Sequence, residues 1–493
     1  MEKYALNPYL PCYEYIPDGE PHVFGDRVYI YGSHDRFDGK KFCMNDYVCY
    51  SADVKDLANW RYEGVIYPRN IDPRMADGKH QLWAPDVCRG KDGKYYLFYC
   101  PDDSIKSIGV AVADSPAGEF HFYGIVSDRN GGALGERPGD TIAFDPGVFV
   151  DDDGQIYLYS GNGPRTKQAI GKEPKASMVV RLMDDMKTMA EEPKKLLPTL
   201  GESEGTGFEG HEFFEASSIR KIGGKYYLVY SSVTLHELCY AVSDKPDEGF
   251  VYGGVVVSNA DIFPENEDQT PKNCYGNDHG GIECINGEYY IFYHRQTNRS
   301  MFSRQGCAER IKIGEDGSIK QVLMTSQGLN GGPLPGQGVF PANCCAELMG
   351  KHTPVISFWL SMGKKHPYLT QDLPDTDPVI DWDRMPVRAA QGLPKQYIAN
   401  GKDGMRAVYR YFAFENTKRA AVKVRGTAVG VMKVFTGEGQ DEVLIGEIPV
   451  HCEKNWKVFD ARMHFPDGVN SLSFVFEGKG VLEFLAFGLS KKA

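Results

Sequence analysis

The first residues of this 493-residue chain, MEKYALNPYLPCYEYIPDGE, lack a basic segment followed by an apolar run, and no window is apolar over the length that a membrane span needs. The expectation is a cytoplasmic protein without a membrane partner. Basic clusters are missing too, since 67 acidic residues outnumber 55 basic ones for a net charge of -12. Phosphate backbones need clustered Lys and Arg, so nucleic acid is excluded as a partner. The 12 cysteines form no CxxC ladder. That pattern argues for buried, reduced thiols over disulfides or structural zinc. Nucleophile and metalloprotease motifs are absent as well, with no GxSxG elbow and no HExxH pair. The Gly-rich stretch 131–140, GGALGERPGD, lacks the strand–loop–helix setting of a phosphate-binding loop.

What the chain does have is a repeat. An aromatic strand recurs as RVYIYGS, KYYLFYC, QIYLYSG, KYYLVYS and EYYIFYH, and its third-position tyrosines, Tyr29, Tyr96, Tyr157, Tyr227 and Tyr290, are spaced by 67, 61, 70 and 63 residues. A near-regular period in an all-β sequence is the mark of a repeat architecture. About 65 residues suffice for a four-stranded sheet with loops, so the spacing predicts a five-bladed β-propeller. The best-defined copy is 141–161, TIAFDPGVFVDDDGQIYLYSG, an antiparallel hairpin whose turn acids Asp151, Asp152 and Asp153 face water. Two segments read as helical instead: 54–60 as a short turn ending on a packed Trp60, and MDDMKTMAEEPKK at 183–195.

Each copy also carries an ionisable residue 10 to 12 positions before its tyrosine: Asp18, Asp86, Asp145, Glu215 and His279. Inner strands of a propeller line its axis, so these five positions are expected to converge on one cavity. The plainer reading is a turn residue inherited from an ancestral blade. Against it, the residue changes from Asp to Glu to His while the framework is kept. Phe213 and Phe214 precede Glu215 and would raise its pKa by desolvation, which suits a general acid. Trp83 reads as an apolar wall of the pocket or as blade packing. Asp46 reaches the pocket floor or serves a turn or salt bridge, and Glu20 is equally open between structure and function. Arg304, just past the last aromatic strand, is placed beside the cavity or on the surface. A lone His279 is a structural hydrogen-bonder or a ligand of a hydrated cation. Carboxyls sharing a cavity have their pKa values pushed apart, and cleaving a glycosidic bond uses that separation to obtain an acid and a base.

The motif set YIPDGEPHVFGDRVYIYGSHD, LWAPD, FDPGVFVDDDG, FFEASSIRKIGGKYYLVYS and the late His before GEYYIFYHR resembles glycoside hydrolase family 43 over the first three hundred or so residues. That resemblance implies Asp18 as general base, Glu215 as general acid, and Asp145 as the carboxylate that orients the acid. It further implies an inverting mechanism with no required cofactor, although some relatives carry a calcium ion on the axis near the position of His279. Gly19 follows Asp18 where many relatives have Pro. The sister propeller families acting on fructans would show Asn-Asp-Pro-Asn-Gly and Arg-Asp-Pro, and neither occurs.

The expected division is a propeller over 1–318, a Gly/Pro-rich linker over 319–344, and a β-sandwich of jelly-roll type over 345–493, where alternating strands end in a segment resembling a family 6 type carbohydrate-binding module. The tail either binds sugar or braces the propeller. The function expected is release of terminal α-L-arabinofuranose or β-D-xylose from short plant-derived oligosaccharides, with Asp46, Trp83, Asp86, His279 and Arg304 as substrate-binding residues. The alternatives are another sugar specificity or a non-catalytic sugar-binding propeller, and a homo-oligomer is compatible with either.

Overall fold

The computed structural model describes residues 3–356, 365–372 and 394–491. It contains five blades. Blade I comprises Glu20–Phe24, Arg27–Tyr31, Tyr47–Asp53 and Asp56–Tyr67, hydrogen-bonded in chain order from the innermost strand outward. Blade II comprises Leu82–Arg89, Tyr95–Pro101, Gly109–Ala113 and His121–Ile125; blade III, Gly147–Val150, Ile156–Gly161, Ser177–Leu182 and Lys194–Lys195. Blade IV comprises Phe213–Ile222, Lys225–Ser232, Glu237–Ser243 and Val251–Ser258. Blade V has three strands, Ile282–Ile285, Glu288–Gln296 and Arg304–Ile311. Every aromatic repeat strand is the second strand of its blade, paired antiparallel to the inner one.

Five apolar clusters join consecutive blades, and this is what the aromatic repeat builds. Val28, Ile30 and Tyr50 of blade I pack with Tyr290 and Phe292 of blade V, while Tyr29 and Tyr31 pack with Leu97 and Tyr99 of blade II. Blades II and III share Phe98, Val148 and Leu158, blades III and IV share Tyr159 and Leu228, and blades IV and V share Tyr240 and Ile291. The N-terminal segment lies along blade V: the Tyr9 amide donates to Gly306 O, and the buried Asn7 side chain bonds Ala308 at both amide and carbonyl.

Two helical expectations give way to strands and turns. Residues 54–60 begin the outer strand Asp56–Tyr67, where Leu57, Ala58 and Trp60 pack on the blade I–V core. Residues 183–195 form turns ending in the edge strand Lys194–Lys195. All 12 cysteines are unpaired. Among the described residues, no helix is long and apolar enough to cross a membrane.

The tail is a sandwich of two six-stranded sheets. One contains Met405–Phe414, Val429–Thr436, Val443–His451 and Gly468–Lys479; the other contains Gln396–Gly401, Arg419–Gly426, Lys457–Arg462 and Leu482–Ser490. The stretch expected as a linker is built into both: Leu334–Pro335 pairs with Met405–Phe414, and Gly338–Pro341 pairs with Leu482–Ser490. Gly and Pro suit such short edge strands as well as they suit a tether.

Sandwich and propeller meet through buried polar groups. Arg410 of the sandwich reaches Asp261 of the propeller at 2.8 Å and also bonds Glu347 and Glu438. Arg295 of blade V donates to the carbonyls of Asn343 and Cys345. Removing one member of a buried ion-pair network leaves charges without partners, at roughly 3–5 kcal/mol. Arg410→Met is therefore expected to destabilise the protein by about that amount in denaturant unfolding; a change below about 1 kcal/mol would mean that the network does not hold the two parts together.

Candidate active site

All five blades contribute to one cavity of about 180 Å³ at an end of the propeller axis. Its lining includes Asp18, Trp83, Asp145, Glu215, His279 and Arg304, six of the eight residues expected from sequence. Irregular backbone aims them. Asp18 and Asp145 have φ of 54° and 46°, and Ala216, next to Glu215, has 69°. Left-handed backbone at non-Gly residues costs on the order of 1–3 kcal/mol each and persists where the surroundings enforce it. The pairing of the innermost blade IV strand also slips on both sides of Glu215, a bulge that turns the carboxyl off the regular alternation of the strand.

The other two candidates lie elsewhere. Asp86 is fully buried, bonded to the amides of Val87 and Val148 and, at 2.6 Å, to His22 Nε2. A register shift between Trp83 and Asp86 separates it from the pocket that Trp83 lines. Asp46 accepts from the backbone and Nε of Arg69, so its role is the salt bridge and not the pocket floor. Glu20 is buried, bonded to Ser218 Oγ and to Arg220.

Electrostatics divides the three pocket carboxyls. Burial, the largest single influence, would raise the pKa of Asp18, but the Arg304 guanidinium 2.9 Å away, together with His294, His279 and Ser33, outweighs it and holds the carboxyl below its usual range. Asp145 is pushed up to about 7, first by burial and further by the charge of Asp18, against the opposing pull of His279. Glu215 rises to about 8 through loss of solvent and the neighbouring Asp145. His279 sits between two carboxylates, Nδ1 at 3.6 Å from Asp145 and Nε2 at 3.7 Å from Glu20. Burial disfavours its charge, yet those acids lift its pKa to about 9, so it is an imidazolium at neutral pH. The site thus holds an ionised carboxylate, Asp18, together with a carboxyl, Glu215, that keeps its proton near neutral pH, an arrangement suited to simultaneous base and acid work.

Several lining residues were missed by sequence reasoning. Phe42, Phe144, Leu235 and Met301 supply apolar walls beside Phe214, which the sequence had placed next to Glu215, and Arg165 lies at the rim. His294 is buried beneath Asp18 and accepts from the Asp18 amide at Nδ1, while its Nε2 donates to Asn277 O. Burial lowers its pKa to about 3, so it is neutral. A signal for some of these existed: His294 is the last residue of EYYIFYH, and Arg165 follows QIYLYSG by four positions. A larger groove of about 540 Å³ at the seam with the sandwich has no carboxylate among the described residues of its lining.

A family model for glycosyl hydrolases family 43 matches residues 15–319. The chain belongs to glycoside hydrolase family 43. A full-length relative of this family 43 chain is a xylosidase/arabinosidase of Thermoclostridium stercorarium, 48% identical over 495 residues and covering 99% of both chains. A solved family 43 β-xylosidase/α-arabinofuranosidase from a compost microbial metagenome, in complex with xylotriose in a calcium-free form, is 28% identical with a TM-score of 0.50, over 65% of this chain and 98% of that one. A family 43 arabinoxylan arabinofuranohydrolase from Bacillus subtilis, in complex with cellotetraose, has the same TM-score of 0.50 at 20% identity, over 99% of this chain and 97% of that one. At that identity the likeness is one of fold, and it extends through the sandwich. The family 43 chain is a glycoside hydrolase.

The raised acid has a consequence for stability. Glu215 would ionise near 4.5 in the unfolded chain and near 8 in the folded one, so between those values the folded state binds the extra proton. Its stabilising contribution is complete below the unfolded pKa and is lost as pH rises through the folded one. Glu215→Gln is therefore expected to raise the thermal midpoint more at pH 8 than at pH 5, by a gain of roughly 1 kcal/mol at the higher pH. Equal midpoint changes at both would put the carboxyl in an ordinary environment.

Proposed function

We propose that this family 43 enzyme is an exo-acting, inverting hydrolase that releases terminal α-L-arabinofuranose or β-D-xylose from short plant-derived oligosaccharides. The observation that carries the reading is the divided charge state of the three pocket carboxyls. Glu215, protonated near neutral pH, gives its proton to the glycosidic oxygen as the bond to the sugar breaks. Asp18, kept ionised by Arg304, takes a proton from the water that attacks the opposite face of the ring. Asp145 has a pKa between theirs and raises that of the acid.

Support for exo action comes from the size of the cavity. About 180 Å³ is smaller than the roughly 300–1,000 Å³ of sites that enclose drug-sized ligands. Such a pocket suits one terminal ring against Trp83, Phe42 and Phe144, which meet edge to face. Pentose release is supported by the names of the relatives, both xylosidase and arabinosidase. The 12 unpaired cysteines accord with a reducing, cytoplasmic compartment and hence with short imported substrates.

For a calcium ion on the axis, the protein groups present are His279 and Glu20, whose Oε1 is buried without a hydrogen-bond partner. Calcium takes six to eight oxygens, so most would come from water, and on those terms the groups fit. Held there, such an ion would supply a positive charge in place of that of the imidazolium. No chemical step requires it.

Hydrolysis of aryl α-L-arabinofuranoside and aryl β-D-xyloside by the purified protein is expected for at least one of the two. Asp18→Asn is expected to reduce that turnover by about 100- to 10,000-fold. Undiminished turnover in this variant would remove Asp18 as the base, and no turnover of either substrate by the native protein would refute the pentose assignment.

A further inference from the structure

Asn162 is the first residue beyond the blade III strand Ile156–Gly161, and its Nδ2 lies 3.1 Å from Glu215 Oε2. Its other amide atom, Oδ1, receives Lys175 Nζ at 2.7 Å. Lys175 comes from the loop before Ser177–Leu182, and the pairing of Gly161 with Ser177 brings the two segments side by side. An ammonium can only donate, so it fixes which end of the amide is which. The NH₂ group must then face Glu215, and Glu215 Oε2 must accept.

We propose that Lys175 and Asn162 form a positioning relay that fixes the proton of Glu215 on Oε1 and so decides which oxygen delivers it. The inference rests on the assignment of Glu215 as the general acid. With Oε2 committed to the amide, a neutral carboxyl carries its hydrogen on the other oxygen. The same N–H···O bond strengthens as Glu215 becomes an anion, so the relay stabilises the charge that forms when the proton leaves. Lys175 adds its positive charge through the polarised amide. The other charged groups that act on Glu215 are Asp145, His279, Asp18 and Arg304, and Arg165 also lines the cavity. Asp103 and Glu173 lie on the outer side, where Asp103 is within the field of Lys175.

A positioning role for the acid separates from a structural one by leaving-group chemistry. Xylobiose, or the matching arabinofuranosyl disaccharide, leaves poorly and needs protonation; a 2,4-dinitrophenyl glycoside of the same sugar does not. In Asn162→Ala and Lys175→Met, kcat on the disaccharide is expected to fall by about 10- to 100-fold, with a change below about threefold on the dinitrophenyl substrate. Loss of the donor favours the protonated acid, so the alkaline limb of the pH profile moves to higher pH, and Lys175→Arg restores both properties. Equal changes on the two substrates, or none on either, with an unmoved alkaline limb, overturn the relay. Glu215→Gln is the separate control. Full disaccharide cleavage by that variant removes the acid assignment itself, whereas loss on the disaccharide with retention on the dinitrophenyl glycoside upholds it and leaves the relay to be judged on its own variants.

Discussion

A single buried guanidinium organises the charge of this pocket. Arg304 is the largest fully buried side chain among the described residues, held by both carboxylate oxygens of Asp35 and by Asp18, with Phe42 4.8 Å beneath its plane. A charge withdrawn from water this completely must be met by anions, and Asp18 is held ionised in answer to it. Burial already pushes Asp145 and Glu215 toward neutral pH, and once Asp18 is fixed as the anion its field adds to that push. The proton inventory of the site follows from burial and from which carboxyl the arginine holds. That arginine belongs to the last blade and its partners to the first.

The sandwich reaches this arrangement indirectly. Tyr15 donates through its hydroxyl to Gln371 of the sandwich, and its backbone carbonyl receives the amide of Asp35, the residue that clamps Arg304. Phe37 packs against the same tyrosine with its ring tilted, 5.5 Å between centroids. A tail domain wired in this way works as part of the wall that holds Arg304, whatever else it binds.

Much of the propeller was legible because its signal is redundant. Five aromatic strands at similar spacing each report the same contact between blades, and a misreading of one would be corrected by the other four. The site was legible where side chains kept the phase of the repeat and met the axis, as Asp18, Asp145, Glu215 and His279 do. Asp86 kept the phase too, yet a bulge after Trp83 turned it onto backbone amides, and a bulge leaves no mark in residue spacing. Asn162 and Lys175 were invisible for a different reason: they meet through a hairpin pairing, 13 residues apart, in a loop whose composition reads as merely polar. The stretch 319–344 misled because Gly and Pro mark edge strands as well as tethers, and only the partner strand distinguishes the two.

The seam between the first and last blades joins residues about three hundred positions apart, among them Asn7 with Ala308 and Asp18 with Arg304. Contacts of such separation carry a large loop-closure entropy and form late. During synthesis, four blades can assemble while the pocket is still an open arc in which Asp18 has no counter-charge. Only when the fifth blade emerges from the ribosome can the ring shut and the arginine arrive, so the charge pattern of the pocket is a product of ring closure.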